Sequence, residues 1–420
     1  MPVSPEIQEF VPSEVRAALA TVSTASTVVG MAARTGGVLV DGAQLAAVRD
    51  SYDDGQAEAL ARYLGAAQSS NTVRAYRADW RTWLAWCAVQ GRTALPADPL
   101  DVAVYLATAA DLRQADDSWA FAPSTLERKA AAIAAVHAAA GLPSPTRADV
   151  VRLTLRGVRR ARDSRPSRKR PVLLATLTDM LAARPADGWP GGVARRRDAV
   201  LLLVGFAGAL RRTELAAIGL DDVLVEVDAR SGEPVLIVEL AATKTDPTGV
   251  GGQRVALPRG RRPGTCPVCA FADWSDLLEV HAAGGMSDVR AWLADLAARK
   301  STSDSRPVHR CHGWSGTSLA DGAGRPLFPA INRHGGIGAV PITGRAVADL
   351  VKRYALRAGL DPAAFGGHSL RAGFATQAAI GGASDREIMR QGRWSNAGTV
   401  HRYIRTANPL DDNAVTRLGL

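Results

Sequence analysis

Aromatic residues, cysteines and long apolar runs are all scarce in this sequence. Phe, Trp and Tyr make up 5% of the 420 residues, so the cores must be built from Ala, Leu and Val. This composition favours close-packed helices over β-sandwiches, which use more aromatic and β-branched residues. The four cysteines are too few for a disulfide framework and suit a reducing cytosol.

Membrane and secretion signals are also missing. No uninterrupted apolar stretch of about 18 residues occurs, which argues against a transmembrane helix. Residues 17–33 are diluted with Thr, Ser and Gly and lack a basic start, so they do not resemble a signal peptide. We expect a cytoplasmic protein without membrane contact. The formal charge of +10 suits a polyanionic partner, and charge alone does not separate nucleic acid from an anionic membrane.

The sequence pattern divides the chain into four segments. Residues 1–50 are rich in small residues with weak periodicity and predict a flexible arm. Residues 51–162 predict an all-helical domain, with helix starts at Ser70 and Pro123. Residues 163–171 predict a basic linker, and residues 172–420 a second domain ending in a tail helix. Nine basic residues and one acidic residue between Val151 and Pro171 indicate either a solvated face or a strap on phosphates.

The second domain mixes a small sheet with helices. Residues 223–227, 234–240 and 253–257 predict a three-stranded antiparallel sheet, with Lys244 in its second connection. Residues 281–329 look rich in loops, and residues 343–358 predict a helix. Residues 200–210 are nearly all apolar and run directly into Arg211, which is unusual because burying an unpaired guanidinium is costly.

Residues suited to phosphoryl transfer without a metal lie in three separated clusters. Two guanidiniums can hold the non-bridging oxygens of a phosphate, as a metal ion does elsewhere. A tyrosine hydroxyl is a competent nucleophile once a base accepts its proton, and a lysine or histidine can protonate a leaving 5′ oxygen. The clusters are Ala209 to Leu215, Gly367 to Arg371, and Gly392-Arg393-Trp394 with Tyr403-Ile404-Arg405.

In order and spacing these clusters resemble the boxes of the tyrosine recombinases, also called phage integrases. Trp394 followed nine positions later by Tyr403 is similar to the Cre-like branch, which carries Trp where most members have His. The resemblance covers about residues 50 to 405. It implies a mainly α fold with a small antiparallel β-sheet, in which a helical core-binding domain and a catalytic domain form a two-domain, C-shaped DNA clamp.

The resemblance also implies a role for each matching residue. Tyr403 would attack the scissile phosphate and remain joined to a 3′ phosphate. Arg211 and Arg371 would hold the phosphate oxygens, and His368 would assist proton transfer. Lys244 would protonate the leaving 5′ hydroxyl. The remaining catalytic candidates are Trp394, as a donor to the phosphate, and Glu214, which would orient the cationic groups.

The resemblance further implies a bacterial or phage-encoded, nucleoid-associated protein, with double-stranded DNA carrying inverted-repeat target sites as its partner. A homo-tetramer would act on two sites through a Holliday junction, without a cofactor, and the tail 409–420 would dock into a neighbouring protomer. The candidate DNA contacts lie in the helical domain, the linker and the helix from Thr343: Asn71, Arg74, Ser124, Thr125, Arg128, Lys129, Arg159, Arg160, Arg168, Lys169, Arg345 and Lys352.

One feature departs from the Cre-like pattern. Cys266-Pro267-Val268-Cys269 is followed by His281 and then by His309, Cys311 and His312. Cys266, Cys269, His309 and Cys311 could form a tetrahedral zinc site, or the cysteines could be reduced structural thiols. The sequence alone is compatible with both a zinc site and reduced structural thiols.

Two other functions share parts of this reasoning. A type IB topoisomerase uses the same chemistry without exchanging strands between sites, but the two-domain layout resembles the recombinases. A non-catalytic DNA-binding regulator could keep the fold, but every position of the active-site set is filled here. We therefore expect a site-specific recombinase.

Overall fold

The computed structural model describes residues 53–66, 70–162, 169–240, 253–302, 308–312, 314, 324–404, 415 and 418. The chain divides into two compact units, the first ending at Pro166 and the second beginning at Ser167. Three predicted features lie outside the described residues: the arm 1–50, Arg168 in the linker, and Lys244. The same holds for the tail 409–420, apart from Val415 and Leu418.

The first unit is helical in its described part. Its helices are α1 (Asp54–Ala66), α2 (Ser70–Gln90), α3 (Pro99–Asp111), α4 (Pro123–Ala139) and α5 (Asp149–Ala161). The predicted helix starts at Ser70 and Pro123 are confirmed. Trp83 and Leu106 are fully buried at the centre of the core, and the Trp83 Nε1 donates a hydrogen bond to the Ala94 carbonyl at 3.1 Å.

The second unit begins with three helices and a sheet. These are α6 (Leu174–Ala182), α7 (Gly191–Ala207), α8 (Arg212–Ala217), β1 (Val223–Val227), β2 (Pro234–Leu240) and β3 (Gln253–Pro258). The strands form the predicted antiparallel sheet in the order β1-β2-β3. Val223 pairs with Val238, and Val235 pairs with Pro258.

The rest of the second unit is again mainly helical. Its elements are α9 (Pro267–Thr302), β4 (Pro329–Ile331), β5 (Ile337–Pro341), α10 (Gly344–Arg357), α11 (Ser369–Ile380), α12 (Asp385–Gly392) and α13 (Ala397–His401). Strands β4 and β5 pair antiparallel in a second, two-stranded sheet. No helix in the described ranges is long and apolar enough to cross a membrane.

The prediction of irregular structure from residue 281 onward is wrong for residues 281–302. These residues continue α9, which is interrupted at Gly285, where φ is 70° and ψ is −157°. Val289 and Leu293 are fully buried beyond this break. Two consecutive glycines, Gly284 and Gly285, are a sequence signal for a loop. In the structure they only kink the helix, because its apolar side chains pack in the core on both sides of the kink.

Helix α7 runs through the core of the second unit and packs against α9 and α11. Gly205 lies near its end, where an added Cβ would approach Leu215 and Leu370 side chains to 2.9 Å. The glycine therefore lets α8 and α11 pack closely against the end of α7. This packing brings the ends of three helices together, and the catalytic candidates lie there.

Candidate active site

The turn between α7 and α8 carries the first arginine of the site. Ala209 has φ of 48°, in the left-handed region that non-glycine residues rarely adopt, and it is fully buried. Arg211 then takes the N-cap position of α8. Its backbone N–H donates to Glu214 Oε2 at 2.9 Å, and its guanidinium donates to Glu214 Oε1. The turn thus sends a cationic side chain out of an apolar helix next to a carboxylate.

Glu214 joins two arginines from distant parts of the chain. Its carboxylate is bound by Arg211 on one side and by Arg393 Nη2 on the other, at 3.2 Å. Burial alone would raise the pKa of Glu214, but the hydrogen bonds from Arg211 and the charges of Arg211 and Arg393 lower the pKa below its ordinary value. Glu214 is therefore ionised and fixes both guanidiniums.

Arg393 is a member of the site to which sequence reasoning assigned no role. It follows α12 in the left-handed conformation, with φ of 55° and ψ of 46°. Its guanidinium also donates to the carbonyls of Gly208 at 3.2 Å and Gln391 at 3.1 Å. The signal in the sequence was the charge between Gly392 and Trp394, but only the folded chain shows that this side chain is buried.

Arg371 lies at the centre of the site. It is 1% exposed on α11 and donates to the Ala209 carbonyl, whereas its Nη2 is buried without a hydrogen-bond partner among the described residues. Burial and the positive charges of Arg211 and Arg393 lower the pKa of Arg371 to about 9. A buried cation with a free donor beside two other cations is poised to bind an anion, because an anion would offset both penalties.

Trp394 links Arg371 to Tyr403. The Arg371 guanidinium carbon lies 4.0 Å from the Trp394 ring centroid, and the ring centroids of Trp394 and Tyr403 are 5.4 Å apart. Gly392 makes room for the indole, since an added Cβ would lie 1.8 Å from the Trp394 ring. The half-buried Tyr403 is held at its carbonyl by Thr376 Oγ1, at 3.0 Å. Because Thr376 lies on α11, one helix positions both Arg371 and Tyr403.

Contacts thus connect five of the seven predicted catalytic residues: Arg211, Glu214, Arg371, Trp394 and Tyr403. His368 is exposed at the N-cap position of α11, one turn before Arg371. Lys244 lies outside the described residues. Three clustered guanidiniums with a single carboxylate among them leave a local excess of positive charge. This excess suits the negative charge that develops on a phosphate during phosphoryl transfer.

The candidate DNA contacts differ in how available their side chains are. Lys129 is 4% exposed, and its Nζ binds Thr82 Oγ1 at 2.8 Å and Asp79 at 3.5 Å. It has a structural role in the helical core, so it is removed from the candidates. Arg128 is partly exposed but holds the same Asp79 at 2.7 Å.

The other described candidates lie at or near the surface. Arg159 pairs with Glu127 at 3.3 Å, Lys169 donates to the Ala363 carbonyl at 2.7 Å, and Arg345 reaches Asp349 at 3.9 Å. Asn71 accepts a hydrogen bond from Arg74 at 2.8 Å. Thr125 is half-buried, whereas three further candidates are exposed, namely Ser124, Arg160 and Lys352. These residues stay predictions.

Comparison with known proteins shows the family to which the chain belongs. Residues 311–408 match the model of the phage integrase family, a range that includes His368, Arg371, Trp394 and Tyr403. The chain is 31% identical over 363 residues to an integrase/recombinase XerD homolog of Selenomonas ruminantium, covering 85% of this chain and 88% of the relative. It is 25% identical over 353 residues to the Cre recombinase of Escherichia phage P1, covering 84% and 88%.

A solved structure with a similar chain is the XerH site-specific recombinase bound to a palindromic difH substrate after cleavage. The two chains share 14% identity with a TM-score of 0.45, over 88% of this chain and 86% of that one. The identity and coverage of the XerD homolog are decisive: this chain belongs to the phage integrase family of tyrosine recombinases.

Proposed function

We propose that this protein is a site-specific DNA recombinase that cleaves and rejoins duplex DNA through a 3′-phosphotyrosine intermediate. The observation that carries the proposal is a cluster of three buried or half-buried arginines. Glu214 binds Arg211 and Arg393, and Trp394 contacts both Arg371 and Tyr403. Family membership supports the same function. The proposed substrate is double-stranded DNA.

In the proposed reaction the Tyr403 oxygen attacks the scissile phosphorus and the 5′ oxygen leaves. In this proposal His368 is the base that accepts the Tyr403 proton, and Lys244 protonates the departing 5′ oxygen. Arg211 and Arg371 stabilise the charge on the non-bridging oxygens, and Arg393 keeps Glu214 and Arg211 in place. A 5′ hydroxyl then attacks the phosphotyrosine, releases Tyr403 and restores a phosphodiester. One bond is exchanged for another of the same kind, so ATP is not required.

Exchange between two sites requires several protomers. We propose that four copies of the chain act on two inverted-repeat sites and pass strands through a Holliday junction. The tail 409–420 is proposed to dock into a neighbouring protomer. Deleting this tail should reduce the formation of paired-site complexes on DNA while leaving cleavage of a single site measurable.

One experiment tests the function. The protein is incubated with a plasmid that carries two copies of the DNA flanking its own gene, and wild type is compared with Tyr403→Phe. We expect recombined plasmid and a covalent protein–DNA adduct with wild type, and unchanged DNA binding without adduct for Tyr403→Phe. Tyr63→Phe, which alters an exposed tyrosine of α1, is the matched control and should recombine normally.

Other results would identify the alternative functions. Relaxation of supercoiled plasmid without recombined product would indicate a topoisomerase-like enzyme. DNA binding without any covalent adduct from the wild-type chain would indicate a regulator. Either result would overturn the proposed recombinase.

A further inference from the structure

A second cluster of reactive side chains lies in the same unit as the candidate active site but shares no residue with it. The ligating atoms of Cys266, Cys269, His309 and Cys311 all lie within 4.8 Å of one another. Cys266 immediately precedes α9 and Cys269 lies in its first turn, whereas His309 and Cys311 come from the segment 308–312. Folding therefore gathers a Cys-x2-Cys pair and a His-x-Cys pair that are 40 residues apart in the chain.

The three cysteines of the cluster are buried in the main core of the second unit, and His309 is half-buried at its edge. Cys266, Cys269 and Cys311 are 0%, 6% and 3% exposed, and they pack with apolar neighbours such as Val268 and Phe271. Packing three sulfurs and one imidazole together in an apolar core is costly unless they share a partner. Reduced thiols alone explain the burial of each cysteine, but they do not explain the convergence of all four side chains.

The distances match the size of a tetrahedral zinc site. Zinc bonds of about 2.3 Å to sulfur and about 2.0 Å to nitrogen imply sulfur–nitrogen edges of about 3.5 Å. His309 Nδ1 lies 3.4 Å from Cys269 Sγ and 3.8 Å from Cys311 Sγ. The backbone N–H of Cys269 donates to Cys266 Sγ at 3.4 Å, which is the kind of outer hydrogen bond that orients a thiolate ligand.

We propose that Cys266, Cys269, His309 and Cys311 bind a structural Zn²⁺ ion, with His309 coordinating through Nδ1. Three thiolates and one imidazole form a soft ligand set that selects zinc over magnesium or calcium. Four protein ligands leave no open position, so the ion holds the fold and takes no part in chemistry. It ties the start of α9, which follows β3 closely in the sequence, to residues 309–311. Strand β3 in turn follows the segment that contains Lys244.

The first test is the metal content of the full-length protein, purified without a polyhistidine tag and under reducing conditions. We expect about one zinc ion per chain, measured by inductively coupled plasma mass spectrometry. Cys87→Ser is the matched control, because Cys87 is a buried cysteine in the core of the first unit, outside the cluster. It should keep its zinc, whereas Cys311→Ser and His309→Ala should lose most of it. Wild-type protein with zinc far below one per chain and unable to take it up would overturn the proposal.

A second measurement covers the case in which the cluster variants do not fold. Wild-type protein is stripped with a chelator, and Co²⁺ is then added. We expect the intense visible absorption of tetrahedral cobalt–thiolate coordination and a rise in thermal unfolding temperature on adding Zn²⁺. A folded chain with four reduced cysteines that gives neither signal, or a stable disulfide among the three clustered cysteines, would contradict the site.

Discussion

At the residue scale, Glu214 makes it possible to bury several guanidiniums side by side. Arg371 is 1% exposed, and the side chains of Arg393 and Arg211 are 9% and 16% exposed. Like charges buried close together repel one another. The single carboxylate binds Arg211 and Arg393 directly. Its negative charge also raises the pKa of Arg371, which favours the charged form of that side chain. Removing one partner of a buried ion pair typically costs roughly 3–5 kcal/mol, because the other charge is left uncompensated.

Glu214→Gln should therefore destabilise the protein by roughly 3 kcal/mol at neutral pH. The folded pKa of Glu214 lies below its ordinary value of 4.5, so the carboxylate's contribution to the free energy of unfolding is complete above about pH 4.5. This contribution is lost as the pH falls through the folded pKa. The gap in stability between wild type and Glu214→Gln should thus narrow below pH 4.5, measured by urea unfolding at several pH values.

Glu226→Gln is the matched control for this series. Glu226 pairs with Arg254 on the surface, with about half of each side chain exposed, so its loss should change stability little. A gap between wild type and Glu214→Gln that stayed constant down to about pH 3 would contradict an ionised, arginine-bound Glu214.

At the element scale, the turn between α7 and α8 sets the direction of the candidate catalytic arginines. Ala209 is left-handed and fully buried, and its carbonyl accepts the hydrogen bond from Arg371. Left-handed backbone costs an alanine about 1 kcal/mol, and burying its methyl group gains about 0.8 kcal/mol. The two effects nearly cancel, so the position tolerates alanine but not a larger branched residue.

Two substitutions at this turn separate the effects. Ala209→Gly should leave the free energy of unfolding within about 1 kcal/mol of wild type, since it loses the methyl contact but relieves the backbone. Ala209→Val should destabilise by more than about 2 kcal/mol, because overpacking and left-handed strain add. Thermal and urea unfolding measure both changes. Equal stability of the valine and glycine variants would show that the backbone is not left-handed here.

The sequence predicted these elements unevenly, and the reason is the range over which each signal acts. Local signals identified the helix starts at Ser70 and Pro123. The order of the boxes predicted Arg211 and Arg371 as site residues, and the fold brings both to the turn between α7 and α8. Arg393 was missed because its burial depends on α8 and α12 meeting in space. The continuation of α9 past Gly285 was missed because packing in the core overrides two glycines. The sequence could not decide between zinc ligands and reduced thiols for the cysteine–histidine cluster, because its two pairs of residues meet only in the folded chain.

At the scale of the whole molecule, the formal charge of +10 is distributed unevenly over the surface. Much basic charge on the two units is already neutralised by ion pairs, such as Arg92 with Asp101 and Arg254 with Glu226. Helix α5 differs, because Arg156 and Arg160 are exposed and neither has an ion pair within the described part of the chain. Net charge attracts DNA from a distance, but only unpaired cations can displace counterions at a phosphate.

The double variant Arg156→Ala, Arg160→Ala should therefore weaken DNA binding at all sequences alike. Each lost phosphate contact lowers the slope of log affinity against log salt by about 0.9, so the slope should fall by about two. The variant Arg92→Ala, Arg254→Ala removes the same net charge from paired positions and should change the slope far less. Fluorescence anisotropy with duplex DNA over a range of salt measures both. Equal losses in the two variants would mean that net charge alone governs binding, and that α5 is not a DNA-contacting surface.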